Sequence, residues 1–273
     1  MSETLFRSDE IRSAVRQRYG QIARDFDPCQ QTSCCGSDEA LTTTDIQLLY
    51  ETPDAAELPL EVKGLSLGCG DPVTLAALQS GQTVLDLGSG GGIDCFLAAQ
   101  KVGDAGHVIG VDMTPDMIDR ARANAVKMRA DNVEFRLGEI EHLPVPDAEI
   151  DVVISNCVIN LSPDKFQVFR EAFRVLRPGG RLAVSDIVTR VPLSQEAKQN
   201  LGSWAACIAG AWVDRDYVAA IEAAGFVDVR LVERALDEET IADGAEQLGL
   251  EIDPAEAHSV IYSARVTAFK PMR

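Results

Sequence analysis

From residue 83 onward the chain alternates short apolar runs with longer amphipathic ones. Apolar runs at 83–87, 107–111, 133–137, 150–155 and 181–185 are short and bounded by turn-forming residues, which predicts strands. The segments between them, 93–102, 116–129 and 163–176, are helix-prone. In the last, Phe166, Phe169, Phe173 and Leu176 recur at helical spacing, a stripe that reads as core packing, and Arg177-Pro-Gly-Gly180 reads as its end. Repeated strand–helix units imply a parallel, doubly wound sheet. A helix over 217–224, ended by Gly225, and strands at 227–232 and 260–269 complete it. The expected fold is therefore α/β: a mostly parallel, seven-stranded, Rossmann-like sheet.

Upstream, Ile11, Val15, Ile22 and Phe26 mark a helix over 8–26, with Ser8 as its expected N-cap. Residues 27–38 are polar and turn-rich, and a second amphipathic stretch runs through 48–50. A glycine- and proline-containing turn at 65–72 and a short helical piece at 76–78 lead into the first core strand. Residues 187–213 interrupt the alternation with mostly helical sequence. These shifts divide the chain into an N-terminal helical arm (1–62), an α/β core (63–186), a helical insertion (187–215) and a C-terminal part that completes the sheet (216–273).

The first core strand runs into Asp86-Leu-Gly88-Ser89-Gly90-Gly-Gly92, and a helix follows. A strand, a glycine turn and a helix N-terminus make a ligand site, because glycine lets a ligand approach the backbone. The dinucleotide fingerprint fails at Ile93, where its third glycine belongs, and no P-loop is present. The form D-x-G-x-G-x-G instead resembles motif I of class I S-adenosylmethionine methyltransferases. That resemblance implies that Asp86, Gly88, Ser89 and Gly90 approach the methionine part of the cofactor. Asp112, with Met113 beside it, ends the second apolar run at about the 20-residue offset expected of an acid that takes the ribose hydroxyls. Glu139, with Ile140 beside it, follows the third strand, where the resemblance implies an adenine contact. A solvated loop acid fits Glu139 equally well. Asn156 ends the fourth strand on the same side.

The 273-residue chain carries a formal net charge of −18, which disfavours nucleic acid and anionic membranes. No apolar stretch is long enough for a membrane span, and the N-terminus lacks a signal-peptide pattern, so a cytoplasmic protein is expected. Seven cysteines without an export signal read as mostly reduced thiols. No C-x-x-C occurs and the three histidines are scattered, so no structural metal is expected. Cys95 reads as core packing and Cys29 as a spare thiol. Trp204 and Trp212 flank Cys207 and read as core.

Four segments share a more specific resemblance. Ser66-Leu-Gly-Cys69-Gly-Asp-Pro72, Gly92-Ile-Asp-Cys95-Phe-Leu-Ala-Ala99, Ser155-Asn-Cys157-Val-Ile-Asn-Leu-Ser-Pro-Asp-Lys165 and Cys207-Ile-Ala-Gly-Ala211 look like arsenite S-adenosylmethionine methyltransferases. The likeness covers roughly residues 8–215. It implies that Cys69, Cys157 and Cys207 bind trivalent arsenic, the substrate, and that S-adenosylmethionine is the co-substrate. It also implies that Cys34 or Cys35 is redox-active and that thioredoxin or glutathione resets the thiols. Free arsenite or a thiol conjugate of it would be the acceptor. Two other readings fit the glycine loop or the thiols in part. A methyltransferase of a small organic acceptor, like quinone-biosynthesis enzymes, does not account for Cys69 and Cys207. A metalloid sensor would need a basic DNA-reading element that the sequence lacks.

Overall fold

The structure, a computed structural model, describes residues 6–26, 54–64, 70–193, 210–234 and 260–273. Seven strands form one sheet in the order β3-β2-β1-β4-β5-β7-β6. They are β1 (Thr83–Leu87), β2 (His107–Asp112), β3 (Val133–Leu137), β4 (Ile150–Asn156), β5 (Leu176–Thr189), β6 (Val227–Arg234) and β7 (Ile261–Phe269). β1 to β5 pair in parallel, while β7 runs antiparallel to both β5 and β6. The strand order reverses between β1 and β4, which opens a crevice at their carboxyl ends. The expected α/β sheet is borne out.

Neighbouring strand residues face opposite sides of a sheet, so each buried strand feeds two cores. Leu85, Leu87 and Val153 join one, with Phe169, Leu182 and Tyr217. Val84, Val152 and Ile154 join the other, with Phe96 and Leu97. The covering helices are α1 (Ser8–Asp25), α2 (Asp54–Glu57), α3 (Leu60–Lys63), α4 (Pro72–Ala76), α5 (Ile93–Val102), α6 (Pro115–Met128), α7 (Lys165–Val175) and α8 (Asp214–Ala223). α5 is framed by Gly92 and Gly103, both at positive φ. α1 lies across the crevice, where Ile11 and Val15 pack with Cys157, Leu161 and Ile187.

Several expectations need correction. Ser8 is the first helical residue of α1, and Arg7 is the cap; its backbone N–H donates to the Glu10 carboxylate at 2.8 Å. The short helix before β1 spans Pro72–Ala76 rather than 76–78, because the Asp71 carboxylate caps it and Ala77 turns left-handed. Arg177-Pro-Gly-Gly180 stops α7, yet it begins β5: the backbones of Gly179 and Gly180 pair with Lys270. β5 also runs on to Thr189, three residues into the expected helical insertion, and α8 begins at Asp214. Phe166 leaves the apolar stripe. It is 47% exposed and stacks on Trp212, with ring centroids 5.1 Å apart.

Candidate active site

The crevice between β1 and β4 holds a cavity whose floor is the glycine loop. The Gly88 and Ser89 N–H groups both donate to the Val111 carbonyl, at 2.7 and 3.0 Å, which ties the loop to β2. Asp112 completes the tie: its carboxylate accepts from Gly90 N at 3.0 Å and from Thr114 N at 2.8 Å. Burial raises the Asp112 pKa, and these backbone donors oppose the rise. Gly88 has φ +71°, and a Cβ there would lie 2.4 Å from Val158 Cγ1. Gly90 has φ +50°, and a Cβ there would meet nothing within 4 Å among the described residues. The loop thus presents bare backbone to open space. Ser89 Oγ is buried at the cavity and has no partner among the described residues. A bare glycine cradle, an unpaired hydroxyl and a carboxylate at the end of β2 fit the methionine and ribose parts of S-adenosylmethionine.

Of the residues expected at this site, Gly88, Ser89, Gly90, Asp112, Met113, Ile140, Asn156 and Cys157 border the cavity. Asp86 does not: it is buried behind the loop, where the Cys95 thiol donates to it at 3.2 Å. Burial pushes both groups up. Glu139 is also outside the lining and forms ion pairs with Arg12 at 3.4 Å and Arg16 at 3.8 Å on α1. The acid that faces the cavity is Glu141, buried, accepting from Ser162 Oγ at 2.7 Å and from Arg12 at 3.2 Å. The sequence shows two acids two residues apart; Arg12 and Arg16 pair with Glu139, while Ser162 and Arg12 hold Glu141 at the cavity. Arg12 and Asp94, which also line the cavity, carried no signal beyond their places on amphipathic helices. Cys34, Cys35, Cys69 and Cys207 lie outside the described residues.

Cys157 follows the last residue of β4, is nearly buried, and has φ +57°. Its N–H donates to the Ser185 carbonyl at 2.8 Å, one step beyond the β4–β5 ladder. A non-glycine residue at positive φ costs about 1–2 kcal/mol, and such strain gathers at functional sites. Cys157 is disulfide-bonded. The chain then enters a 3₁₀ turn, Ile159–Leu161, that Asn160 anchors. Asn160 Nδ2 donates to Asp186 at 2.8 Å and to the Ile187 carbonyl at 2.7 Å. Tyr217 also donates to the Asp186 carboxylate, at 3.1 Å.

Burial outweighs these donors and pushes the Asp186 pKa up to about 7. An acid held tighter in the native state keeps its proton after the unfolded chain has lost its own. Native stability therefore falls as pH rises from about 4 to 7, by up to about 1.4 kcal/mol per pH unit for this group. Asp186→Asn removes that contribution. Urea unfolding between pH 5 and 7 is expected to show a shallower decline in the variant than in the native protein. Equal slopes would contradict the assignment.

Among the described residues no helix is long and apolar enough to cross a membrane. Sheet order, glycine cradle and terminal acid together define a class I S-adenosylmethionine-dependent methyltransferase. Residues 78–241 match the family model described as a methyltransferase domain. Arsenite methyltransferase from Halobacterium salinarum is 45% identical over 97% of this chain and 68% of its own length. The arsenite methyltransferase of Aquipseudomonas alcaligenes is 37% identical over 88% of this chain and 68% of its own. Among solved structures, an arsenic(III) S-adenosylmethionine methyltransferase from Chlamydomonas reinhardtii superposes with a TM-score of 0.66 at 37% identity. That match covers 80% of this chain and 72% of the other. The chain belongs to the arsenite methyltransferase family.

Proposed function

We propose that the protein transfers methyl groups from S-adenosylmethionine to trivalent arsenic held by the thiolates of Cys69, Cys157 and Cys207, giving methylated arsenicals. The observation that carries this reading is the placement of Cys157 at the tip of β4, bordering the same cavity as the glycine loop. Cys69 and Cys207 join it through the likeness of their segments to the family.

Trivalent arsenic is soft and prefers thiolates to imidazole or carboxylate. Three cysteines exchange for the three hydroxyls of arsenous acid and release three waters, so no base is consumed. The thiolates keep the arsenic lone pair free and aim it. Bound S-adenosylmethionine supplies a methyl carbon made electrophilic by its sulfonium, which the lone pair displaces in line. The nucleophile carries no proton, so the protein contributes mainly position. Glu141 and Asp94 line the cavity that would take the cofactor, and α1 covers it. A thiol of the Cys34-Cys35 pair then attacks an arsenic-bound sulfur. The S–S bond forms, the As–S electron pair stays on arsenic, and a proton leaves. Thioredoxin or glutathione reduces the disulfide, which suits a reducing compartment such as the cytoplasm. The disulfide state of Cys157 is consistent with thiols that must be reduced before arsenic binds.

The test is S-adenosylhomocysteine formation by the purified protein with a dithiol, with and without arsenite. Turnover is expected only with arsenite, and it should stall within about one cycle when the dithiol is omitted. Turnover with a quinol and none with arsenite would replace this reading by the organic-acceptor one.

A further inference from the structure

Asn156 occupies the last position of β4, and its side-chain amide is fully engaged. Oδ1 accepts from Gly70 N at 3.2 Å, and Nδ2 donates to the Gly70 carbonyl at 2.8 Å. The second Nδ2 hydrogen goes to Asp94 Oδ2 at 3.2 Å, at the first turn of α5. The amide therefore grips both backbone groups of one residue, 86 positions away in sequence, and joins it to an acid of the cofactor cavity. Gly70 has no freedom to shift toward the sheet: a Cβ on it would lie 2.8 Å from Ser185 Cβ and Oγ. Ser185 is also the residue whose carbonyl accepts from Cys157 N. The gripped amide of Gly70 belongs to the peptide bond that joins it to Cys69. The gripping residue precedes Cys157. One amide side chain thus couples the backbones that carry two of the three thiols.

We propose that Asn156 is a positioning residue. It holds Gly70, the residue that follows Cys69, at the tip of β4 so that the Cys69 and Cys157 thiolates can share one arsenic, and it ties Gly70 through Asp94 to the cofactor cavity. The proposal rests on the three-thiolate reading above. Its chemistry asks for a primary amide. Only that group offers an acceptor and two donors in one plane at this length. Aspartate at 156 would keep the acceptor, lose both donors and face the Asp94 carboxylate.

The reduced full-length protein is titrated with arsenite, following the thiolate–arsenic ultraviolet absorption, and with S-adenosylmethionine by calorimetry. Asn156→Ala is expected to weaken arsenite binding at least about tenfold and to lower kcat about a hundredfold, the scale of a misplaced reacting group. The affinity for S-adenosylmethionine, whose cavity Asn156 borders, should fall by a clearly smaller factor than the affinity for arsenite. Asn156→Asp should show the same split at pH 8. Gly70→Ala, which moves the same turn from its other side, should reproduce the loss of arsenite binding with the cofactor still bound. A loss of cofactor affinity in the Asn156 variants as large as their loss of arsenite affinity would overturn the proposal, as would native arsenite titrations in all three variants. Absence of arsenite binding by the native protein would overturn the three-thiolate reading itself.

Discussion

Cys157→Ser should abolish arsenite-dependent methyl transfer while leaving S-adenosylmethionine binding within about twofold of native. Serine matches cysteine in shape and must adopt the same left-handed backbone, so the change tests the sulfur and little else. A hydroxyl is a hard donor and does not replace a thiolate at a soft centre. Two remaining thiolates can still bind arsenic, but nothing then fixes the direction of its lone pair. Misplacing a reacting atom by about 1 Å costs on the order of a hundredfold, and loss of a ligand should cost more. Serine also cannot form the disulfide found at this position, so the reductant requirement should change together with the rate. Calorimetry with the cofactor and single-turnover rates with arsenite measure the two halves separately. A variant that keeps more than about a tenth of native activity would remove Cys157 from the arsenic site.

Gly88→Ala and Gly90→Ala should both cut S-adenosylmethionine affinity by at least about tenfold, but only the first should also unfold the protein readily. Each places a side chain at positive φ, at about 1–2 kcal/mol. At Gly88 the added Cβ also falls 2.4 Å from Val158. Overpacking of that kind typically costs a further ~1–3 kcal/mol. Relief would push Val158 outward, and with it the neighbouring Cys157. At Gly90 the new methyl meets no atom of the described residues within 4 Å and enters the space where the cofactor would lie. Thermal unfolding without ligand should therefore separate the two variants, and cofactor titration should not. Native cofactor affinity in Gly90→Ala would show that the loop is not the cradle.

Where the chemistry is local, the sequence carried it well. β1, β3 and α5 occupy the expected 83–87, 133–137 and 93–102, because their apolar runs end at glycine or polar turns that set the boundaries. Asp112 was legible because its spacing from the glycine loop is constrained by one strand–helix–strand unit. Arg177-Pro-Gly-Gly180 misled because its signals do stop a helix, and nothing local reveals that Lys270 then pairs with Gly179 and Gly180 while β4 pairs with Leu176 and Arg181 on either side. The choice between Glu139 and Glu141 depended on Arg12, Arg16 and Ser162, all distant in sequence. The grip of Asn156 on Gly70 is of the same kind: a long-range contact between polar groups leaves no periodicity behind.

The most direct test is a single turnover with methyl-labelled S-adenosylmethionine on reduced protein preloaded with one equivalent of arsenite, followed by arsenic speciation. The expected result is label on arsenic in equal amount to the S-adenosylhomocysteine formed, with none on protein or buffer thiols. S-Adenosylhomocysteine without labelled arsenic, or label transferred equally well when arsenite is left out, would contradict methyl transfer to cysteine-held arsenic.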